Sequence, residues 1–223
     1  ANKNATLVSL HNQTFPMPGN QGSCTVLIYP YWLYAAGAYD SGAPSITLYL
    51  PGEVPRAEED GSTAIILPAG GNIKIKGASG EVAVFSNAVI GTFSAVAGGT
   101  PVTFALSTPF STAIVAGDEF YTGYNYTGTT TPSAGGNLTL TIANDDLGRI
   151  FPSSKGSIFV EAAGSISQYS YDERIITTGT SVTLTNIQAI PGAPAPAWPV
   201  TISNTPIYVG KNLGLRSNST YGD

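Results

Sequence analysis

Apolar and polar residues alternate with a period of two along much of this chain. Four segments show the alternation clearly, namely residues 46–50, 73–76, 138–142 and 182–185. Because successive side chains of a β-strand point to opposite faces of a sheet, the alternation predicts strands with one buried face. Two continuous apolar runs, residues 64–67 and 82–85, are typical of strands that are buried on both faces.

Glycine and proline pairs separate the predicted strands. Such pairs mark turns, and they stand at Pro51-Gly52, Gly70-Gly71, Gly98-Gly99, Gly135-Gly136 and Pro191-Gly192. Roughly a dozen strands at this spacing predict an all-β fold of the sandwich class. No amphipathic helix of useful length is indicated. We expect one short turn in residues 55–60 and an extended connection in residues 191–199.

The N-terminal segment is set apart from the rest of the chain. Residues 4–15 are β-prone, and residues 16–22 (Pro-Met-Pro-Gly-Asn-Gln-Gly) follow before the next strand starts at Cys24. Two prolines block ladder pairing and two glycines loosen the chain, so this linker is too long and broken for a tight hairpin. The segment is then either an ordinary first strand or a strand that pairs with another molecule. Head-to-tail exchange of the second kind builds a filament.

Charge is scarce in this sequence. Charged residues make up 10% of the chain, against about 25% in an ordinary soluble domain. The surface is therefore neutral and hydroxyl-rich, or covered by sugar or by neighbouring subunits. The nine Lys and Arg residues are scattered, so no basic stripe for nucleic acid exists.

The sequence contains no run of about 18 apolar residues, which is the length that a helix needs to span a membrane. The start at Ala1 without Met leads us to expect a secreted chain whose signal peptide has been removed.

Five Asn-X-Ser/Thr sequons predict N-linked glycans, and they are centred on Asn4, Asn12, Asn125, Asn137 and Asn218. A chain this rich in Ser and Thr would contain roughly three by chance, but a glycan would also solvate a surface that charge does not. Asn125 lies in an aromatic and Gly-rich stretch that we expect to be an exposed loop. We expect Asn218 to be exposed near the C-terminus. No cofactor other than these glycans is expected.

Residues for catalysis or metal binding form no recognisable set. His11 is the single histidine and Cys24 the single cysteine, which leaves no elbow-type triad and no zinc site. Cys24 lies in an apolar run and is predicted to be a buried, inert thiol, with an intermolecular bridge as the alternative. The acidic runs at residues 118–119, 144–146 and 172–173 stand near turn signals and are predicted to be solvated turns. We therefore predict a protein that is not an enzyme and has no catalytic, cofactor or metal site.

Aromatic residues cluster in residues 29–34 and again at Tyr121, Tyr124 and Tyr126. Such clusters form carbohydrate-binding platforms, but they also occur in sandwich cores and in protein interfaces. Core and interface together are the favoured interpretation.

The detached N-terminal strand, the Pro/Gly hinge, the all-β head and the sequons together resemble a donor-strand pilin. In layout, the chain is most similar to the glycosylated subunit of the archaeal thread filament. Bacterial chaperone-usher pilins are similar too, but they usually carry a disulfide in the head, which a chain with one cysteine does not form within itself.

The resemblance implies three parts. Residues 1–15 would be an N-terminal donor strand, residues 16–22 a Pro/Gly hinge and residues 23–223 an immunoglobulin-like or pilin-like β-sandwich head. The donor strand would fill a groove of the next subunit, and the residues placed at that interface are Ala5, Leu7, Val8, Leu10 and Phe15. The partners would be identical subunits joined head to tail. The resulting filament would lie at the cell surface and support adhesion and biofilm formation through surface carbohydrates or other cells.

Two other function classes fit the same composition. A viral capsid, vertex or spike protein with a β-barrel or sandwich also combines low charge, abundant Gly and Thr, and an N-terminal arm. The sequons and the processed start count against it. A carbohydrate-binding module or hydrolase is the third class, and it would require exposed aromatic rings and a carboxylate pair across a cleft.

Overall fold

The computed structural model describes residues 14–16, 23–29, 32–51, 67–76, 81–97, 99–129, 135–153, 156–162, 165–190, 201–209 and 212–217. Nearly all regular structure in these ranges is β, which confirms the predicted all-β class. The strands are β1 Thr14–Pro16, β2 Ser23–Tyr29, β3 Trp32–Tyr34, β4 Ser45–Pro51, β5 Gly71–Ile75, β6 Val82–Ile90, β7 Gly99–Thr108, β8 Glu119–Gly128, β9 Leu138–Thr141, β10 Ser157–Ala162, β11 Ser165–Ser170, β12 Arg174–Thr177, β13 Ser181–Leu184, β14 Gln188–Ala189, β15 Thr205–Val209 and β16 Asn212–Ser217. Within the described ranges the single helix is α1, Asp145–Arg149.

Six strands form a closed antiparallel barrel in the order β3-β4-β7-β6-β5-β8. The barrel closes where β5 pairs with β8, with Ile73 opposite Thr122. The predicted immunoglobulin-like or pilin-like β-sandwich is not confirmed. Alternation along one strand indicates which side chains are buried, but it carries no information on whether the two end strands of a sheet meet. Closure depends on strand tilt and stagger across the whole sheet.

Strand β8 belongs to the barrel and to a second group of strands. Its first half pairs with β3 and β5, and its second half pairs with β15 on one edge and with β9 on the other. Strands β10, β11 and β14 follow β15, whereas β13 and β12 follow β9. Gly123 lies at the boundary between these two halves of β8, because it is paired both with Asn72 of β5 and with Tyr208 of β15.

Glycine is required at position 123 for steric reasons. A Cβ atom there would fall against the carbonyl oxygen of Ile207 and would lie 2.8 Å from the Cα atom of Tyr208. Both are backbone atoms of β15, so no side-chain rotation relieves the overlap. Position 123 therefore requires a residue without a side chain, because β15 approaches β8 closely at this point.

The alternating segments predicted at residues 46–50, 138–142 and 182–185 have their apolar side chains in the core, which confirms these three predictions. The buried residues are Ile46, Leu48, Leu50, Leu138, Leu140, Ile142, Val182 and Leu184. They belong to one continuous hydrophobic cluster. Burial of each large apolar side chain contributes about 1.5–3 kcal/mol.

Strand β5 differs from its predicted pattern. All five residues from Gly71 to Ile75 are buried, although residues 73–76 alternate like a strand with one solvent face. Lys74 is only 4% exposed, because Glu161 of β10 and Tyr208 of β15 lie over the outer face of the barrel here. The prediction of one exposed face is therefore wrong for Lys74.

The local signals for turns are partly confirmed. Gly70 and Gly135 both have positive φ, 82° and 87°, as expected at the predicted Gly-Gly turns. The acidic run at 144–146 was predicted to be a solvated turn, but it begins helix α1. Asn144 is the N-cap, and its side chain accepts a hydrogen bond from the backbone N–H of Leu147. Residues 55–60 and 191–199 lie outside the described ranges.

Candidate functional site

A three-stranded antiparallel ribbon, in the order β1-β2-β16, contains the first and the last described strands of the chain. Strands β2 and β16 pair over six residues, from Tyr29 opposite Asn212 to Cys24 opposite Ser217. Strand β1 pairs with β2 over only three residues, with Phe15 opposite Cys24. Among the described strands, the outer edges of β1 and β16 have no partner. Unpaired edges of this kind are sites for strand addition.

The two long strands of the ribbon, β2 and β16, are adjacent in sequence to β3 and β15, which pair with the same edge of β8. On one edge of β8, Trp32 at the start of β3 lies opposite Tyr121. Tyr208, near the end of β15, lies opposite Gly123 on the same edge. The chain thus enters β3 from β2 and leaves β15 toward β16 at neighbouring positions of β8. This proximity accounts for the pairing of β2 with β16.

The predicted donor strand falls mostly outside the described ranges. Ala5, Leu7, Val8 and Leu10 belong to that part, and so does His11. Phe15 lies in β1, where it pairs with β2 of its own chain.

The linker was predicted to be too long and broken for a tight hairpin, and the strand before it was expected to pair either within its own chain or with another molecule. Pro16 lies opposite Ser23, so β1 and β2 pair across residues 17–22. Pro16 is the last residue of its strand, a position where a missing N–H is tolerated in an edge strand.

Two of the five predicted glycosylation sites are on described strands or next to them. Asn137 is exposed immediately before β9, and its Oδ1 accepts a hydrogen bond from the N–H of Asn186 at 3.2 Å. Asn4, Asn12 and Asn218 lie outside the described ranges.

Asn125 was expected in a loop, but it lies within strand β8. Its side chain is nevertheless exposed, because it points away from the core that holds Tyr124 and Tyr126. The Oδ1 atom of Asn125 accepts a hydrogen bond from Nδ2 of the buried Asn72 at 2.8 Å. This bond fixes the side chain and does not use the amide nitrogen of Asn125 to which a glycan would attach.

A polar cluster lies where the barrel meets β10 and β15. Nζ of Lys74 is 2.9 Å from Oε1 of Glu161, with side-chain exposures of 5% and 26%. The hydroxyl of Tyr208 donates to Oε2 of the same carboxylate at 3.2 Å, and Lys74 Nζ lies 5.8 Å from the centre of the Tyr208 ring. Burial raises the pKa of Tyr208 far above its usual range, and Glu161 raises it further. The hydroxyl therefore remains a proton donor.

Aromatic rings flank this cluster. The ring centroids of Tyr121 and Phe159 are 4.8 Å apart, and burial raises the pKa of Tyr121. A cavity of about 50 Å³ lies between these rings, Ile166, Lys74 and Tyr208. That volume admits little more than water, so the cluster is a packed contact between strands. No pattern in the sequence indicates this cluster, because Lys74, Glu161 and Tyr208 come from three different strands.

We expect Glu161→Ala to lower the free energy of unfolding by about 2 kcal/mol, measured by urea denaturation. Removal of one member of a buried ion pair typically costs about 3–5 kcal/mol, and Glu161 is partly exposed. Glu119→Ala is the matched control. It removes the ion pair of Glu119 with Lys76, in which both side chains are more exposed, and it should cost less than about 1 kcal/mol. Equal losses in the two variants would contradict this ranking.

Several carboxylates have local structural partners. Oδ2 of Asp118 accepts the backbone N–H of Val115 at 2.9 Å within a turn. Hydrogen bonds from Ser111 and Thr112 hold the pKa of Glu81 below its ordinary value of 4.5. Among the described residues, no group of three or more His, Cys, Asp or Glu side chains could hold a metal ion.

Two tyrosines of the second aromatic cluster belong to the core. Tyr124 and Tyr126 are buried, and their hydroxyls donate to the carbonyl oxygens of Pro68 at 2.7 Å and Leu147 at 2.8 Å. The core interpretation is confirmed for these two residues. Tyr121, on the opposite face of β8, is half-buried against Phe159.

No family model matches this chain, and neither a curated protein nor a solved structure is significantly similar to it. Across the described ranges, no helix has the length and apolar character needed to cross a membrane.

Proposed function

We propose that this protein is the repeating subunit of an extracellular filament, joined head to tail by exchange of its N-terminal strand. The pairing of β1 supports this proposal best. That strand lies at the edge of a ribbon, makes three residue pairs and contributes nothing to the closed barrel. Its replacement by the same strand of a neighbour re-forms the same ladder and leaves the barrel intact.

The apolar residues before β1 supply the driving force in this proposal. Leu7, Val8 and Leu10 would be buried against the neighbouring subunit, and each large apolar side chain contributes about 1.5–3 kcal/mol when fully buried. Backbone hydrogen bonds of the added strand fix its register. A joint of this kind dissociates slowly, because differences in affinity act mainly on the dissociation rate. The pilin-like acceptor groove in the head remains part of the proposal.

The surface suits a secreted glycoprotein that serves adhesion or biofilm formation. Asn125 and Asn137 are both exposed, so a glycan at either position would meet no core atoms. Hydroxyl groups pair across the outer faces of strands, as in Thr47 with Thr103 at 3.0 Å and Thr139 with Thr183 at 3.0 Å. Such a surface interacts with sugars and identical subunits through hydrogen bonds. It offers no basic stripe for nucleic acid.

A viral capsid, vertex or spike protein is the second candidate, and the closed six-strand barrel is the observation that favours it. Capsid subunits also connect to one another through N-terminal arms. The two candidates differ in the shape of the assembly, because a capsid closes on itself and a head-to-tail series does not.

Electron microscopy of undenatured native material tests both candidates. We expect thin, flexible filaments with one bead per subunit. Closed shells would overturn the filament proposal in favour of the second candidate, and discrete monomers at every concentration would overturn both.

A further inference from the structure

Resting on the proposed function, we infer that the loop between β6 and β7 is a lipid-binding element. Residues 93–97 are its apolar tip, and the side chains of Phe93 and Val96 enter the apolar part of a bilayer. The partner is an uncharged lipid surface, which a filament contacts through one apolar tip per subunit. Part of the proposed adhesion is then direct contact with lipid.

Exposed apolar side chains of the protein are concentrated at this loop. Among the described residues, Val89, Phe93 and Val96 are half of the large exposed hydrophobic residues. Val96 is fully exposed, and Ala95 beside it is exposed too. Exposed apolar residues that stand singly are ordinary, whereas a cluster of them marks a contact with a protein or a membrane.

The loop holds these side chains out through its own hydrogen bonds. Ser94 and Gly99 exchange two backbone hydrogen bonds, at 2.9 and 3.2 Å. The N–H of Ala97 donates to Oγ of Ser94 at 3.3 Å, and the carbonyl oxygen of Ala97 accepts from the hydroxyl of Tyr34 at 2.9 Å. Backbone groups that are paired within the protein lose no hydrogen bond when they leave water. These pairs therefore favour entry of the loop into an apolar environment.

The segment that contains the loop has no charge. No Asp, Glu, Lys, Arg or His occurs between Glu81 and Asp118, and Glu81 precedes β6 at the end of that strand remote from the loop. Charged side chains are costly in hydrocarbon, so their absence from this segment favours insertion. The net charge of the chain is −5, which gives no attraction to anionic headgroups. We therefore expect the loop to bind uncharged lipid.

The size of the apolar tip favours a lipid surface over a protein partner. Phe93, Val96 and the alanines beside Val96 expose an area on the order of 300 Å². A stable protein interface buries about 800 Å² on each partner and requires a complementary shape, whereas binding to a bilayer requires only apolar area. The apolar tip is thus too small to hold a second copy of the chain by itself.

A single apolar tip binds lipid weakly, so the filament gives the contact its strength. Two side chains bury less apolar surface than one myristoyl chain, which by itself gives marginal and reversible membrane binding. Subunits in series present many apolar tips, and each bound tip raises the local concentration of the next one. Filaments should therefore bind vesicles at subunit concentrations at which the single chain does not.

Flotation of wild-type filaments with phosphatidylcholine vesicles tests this inference. We expect the filaments to rise with the vesicles in a density gradient. Val96→Asp should lower the bound fraction at least about tenfold, because hydrocarbon excludes a carboxylate. The variant should assemble like the wild type, since Val96 is fully exposed. Phosphatidylglycerol added to the vesicles should not strengthen binding.

Val115→Asp is the matched control. Val115 is 58% exposed and lies in the loop that joins the other end of β7 to β8, so this variant adds the same charge outside the apolar tip. Its filaments should float like the wild type. In the Cys24→Ala background, an environment-sensitive dye on Val96→Cys should show blue-shifted emission when vesicles are added. The same dye on Val115→Cys should show no shift.

The outcomes separate the inference from the proposed function. Filaments that do not float, or that float equally well with Val96→Asp, would overturn the inference and leave the filament proposal intact. Loss of filaments from Val96→Asp would show that the apolar tip contacts a second copy of the chain, and would also overturn the inference. Wild-type protein that forms no filament in the absence of vesicles overturns the proposed function itself, together with the multivalency that the inference requires.

Discussion

Deletion of residues 1–15 should abolish filament formation. The deletion removes Leu7, Val8 and Leu10, which supply the proposed driving force, together with Thr14 and Phe15 of β1. The six-strand barrel should remain folded, because β1 pairs only with β2 and has no part in barrel closure. The exposed edge of β2 should make the truncated head prone to aggregate. Electron microscopy gives the loss of filaments, and circular dichroism gives retention of the β fold.

Deletion of residues 1–3 is the matched control for this experiment. It shortens the same terminus but leaves every residue that was predicted to lie at the subunit interface, from Ala5 to Phe15. Filaments should form from this variant at wild-type length. Filaments of normal length from the longer deletion would overturn strand exchange through the N-terminus, whatever the control does.

The second large effect is expected from Gly123→Ala, which should lower the free energy of unfolding by about 3 kcal/mol, at the upper end for an overpacked interior. The added Cβ atom meets backbone atoms of Ile207 and Tyr208, so β15 must move away from β8. That movement would also disturb the contact of Tyr208 with Glu161. Urea denaturation followed by circular dichroism measures the loss.

Gly37→Ala is the matched control for the steric argument. A Cβ atom at Gly37 would have no heavy atom within 4 Å, so we expect a change of less than about 0.5 kcal/mol, as for surface substitutions. If the midpoints of the two variants shift equally, the loss at position 123 does not arise from the close approach of the strands.

Much of the local structure was predictable from the sequence. The alternation in β4, β9 and β13 identified their buried faces, because a strand with one solvent face must place apolar residues at every second position. The turn glycines Gly70 and Gly135 were also identified, since residues with positive φ are mostly glycine. Helix α1 was missed because it has only five residues, too few for helical periodicity to appear.

The polar cluster was not predictable, because it depends on which strands become neighbours. Lys74 and Glu161 are 87 residues apart in the sequence. A lysine between apolar residues in an alternating strand is predicted to face solvent. The sequence of the strand is the same whether or not other strands cover that lysine. The predicted donor residues Ala5, Leu7, Val8 and Leu10 remain predictions. For Phe15, the structure gives a partner in the same chain, which is one of the two arrangements left open for the N-terminal strand.

The sequence by itself determined the all-β class, the apolar faces of several strands, the scarcity of charge and the positions of the sequons. These properties are local, because each follows from a residue and its near neighbours along the chain. Only the tertiary structure decided that six strands close into a barrel, that β8 is shared by two groups of strands and that Asn125 projects from a strand. Gly123 illustrates the difference: in the sequence it has the appearance of a loop glycine, whereas in the fold the backbone of β15 occupies the space that a side chain would need.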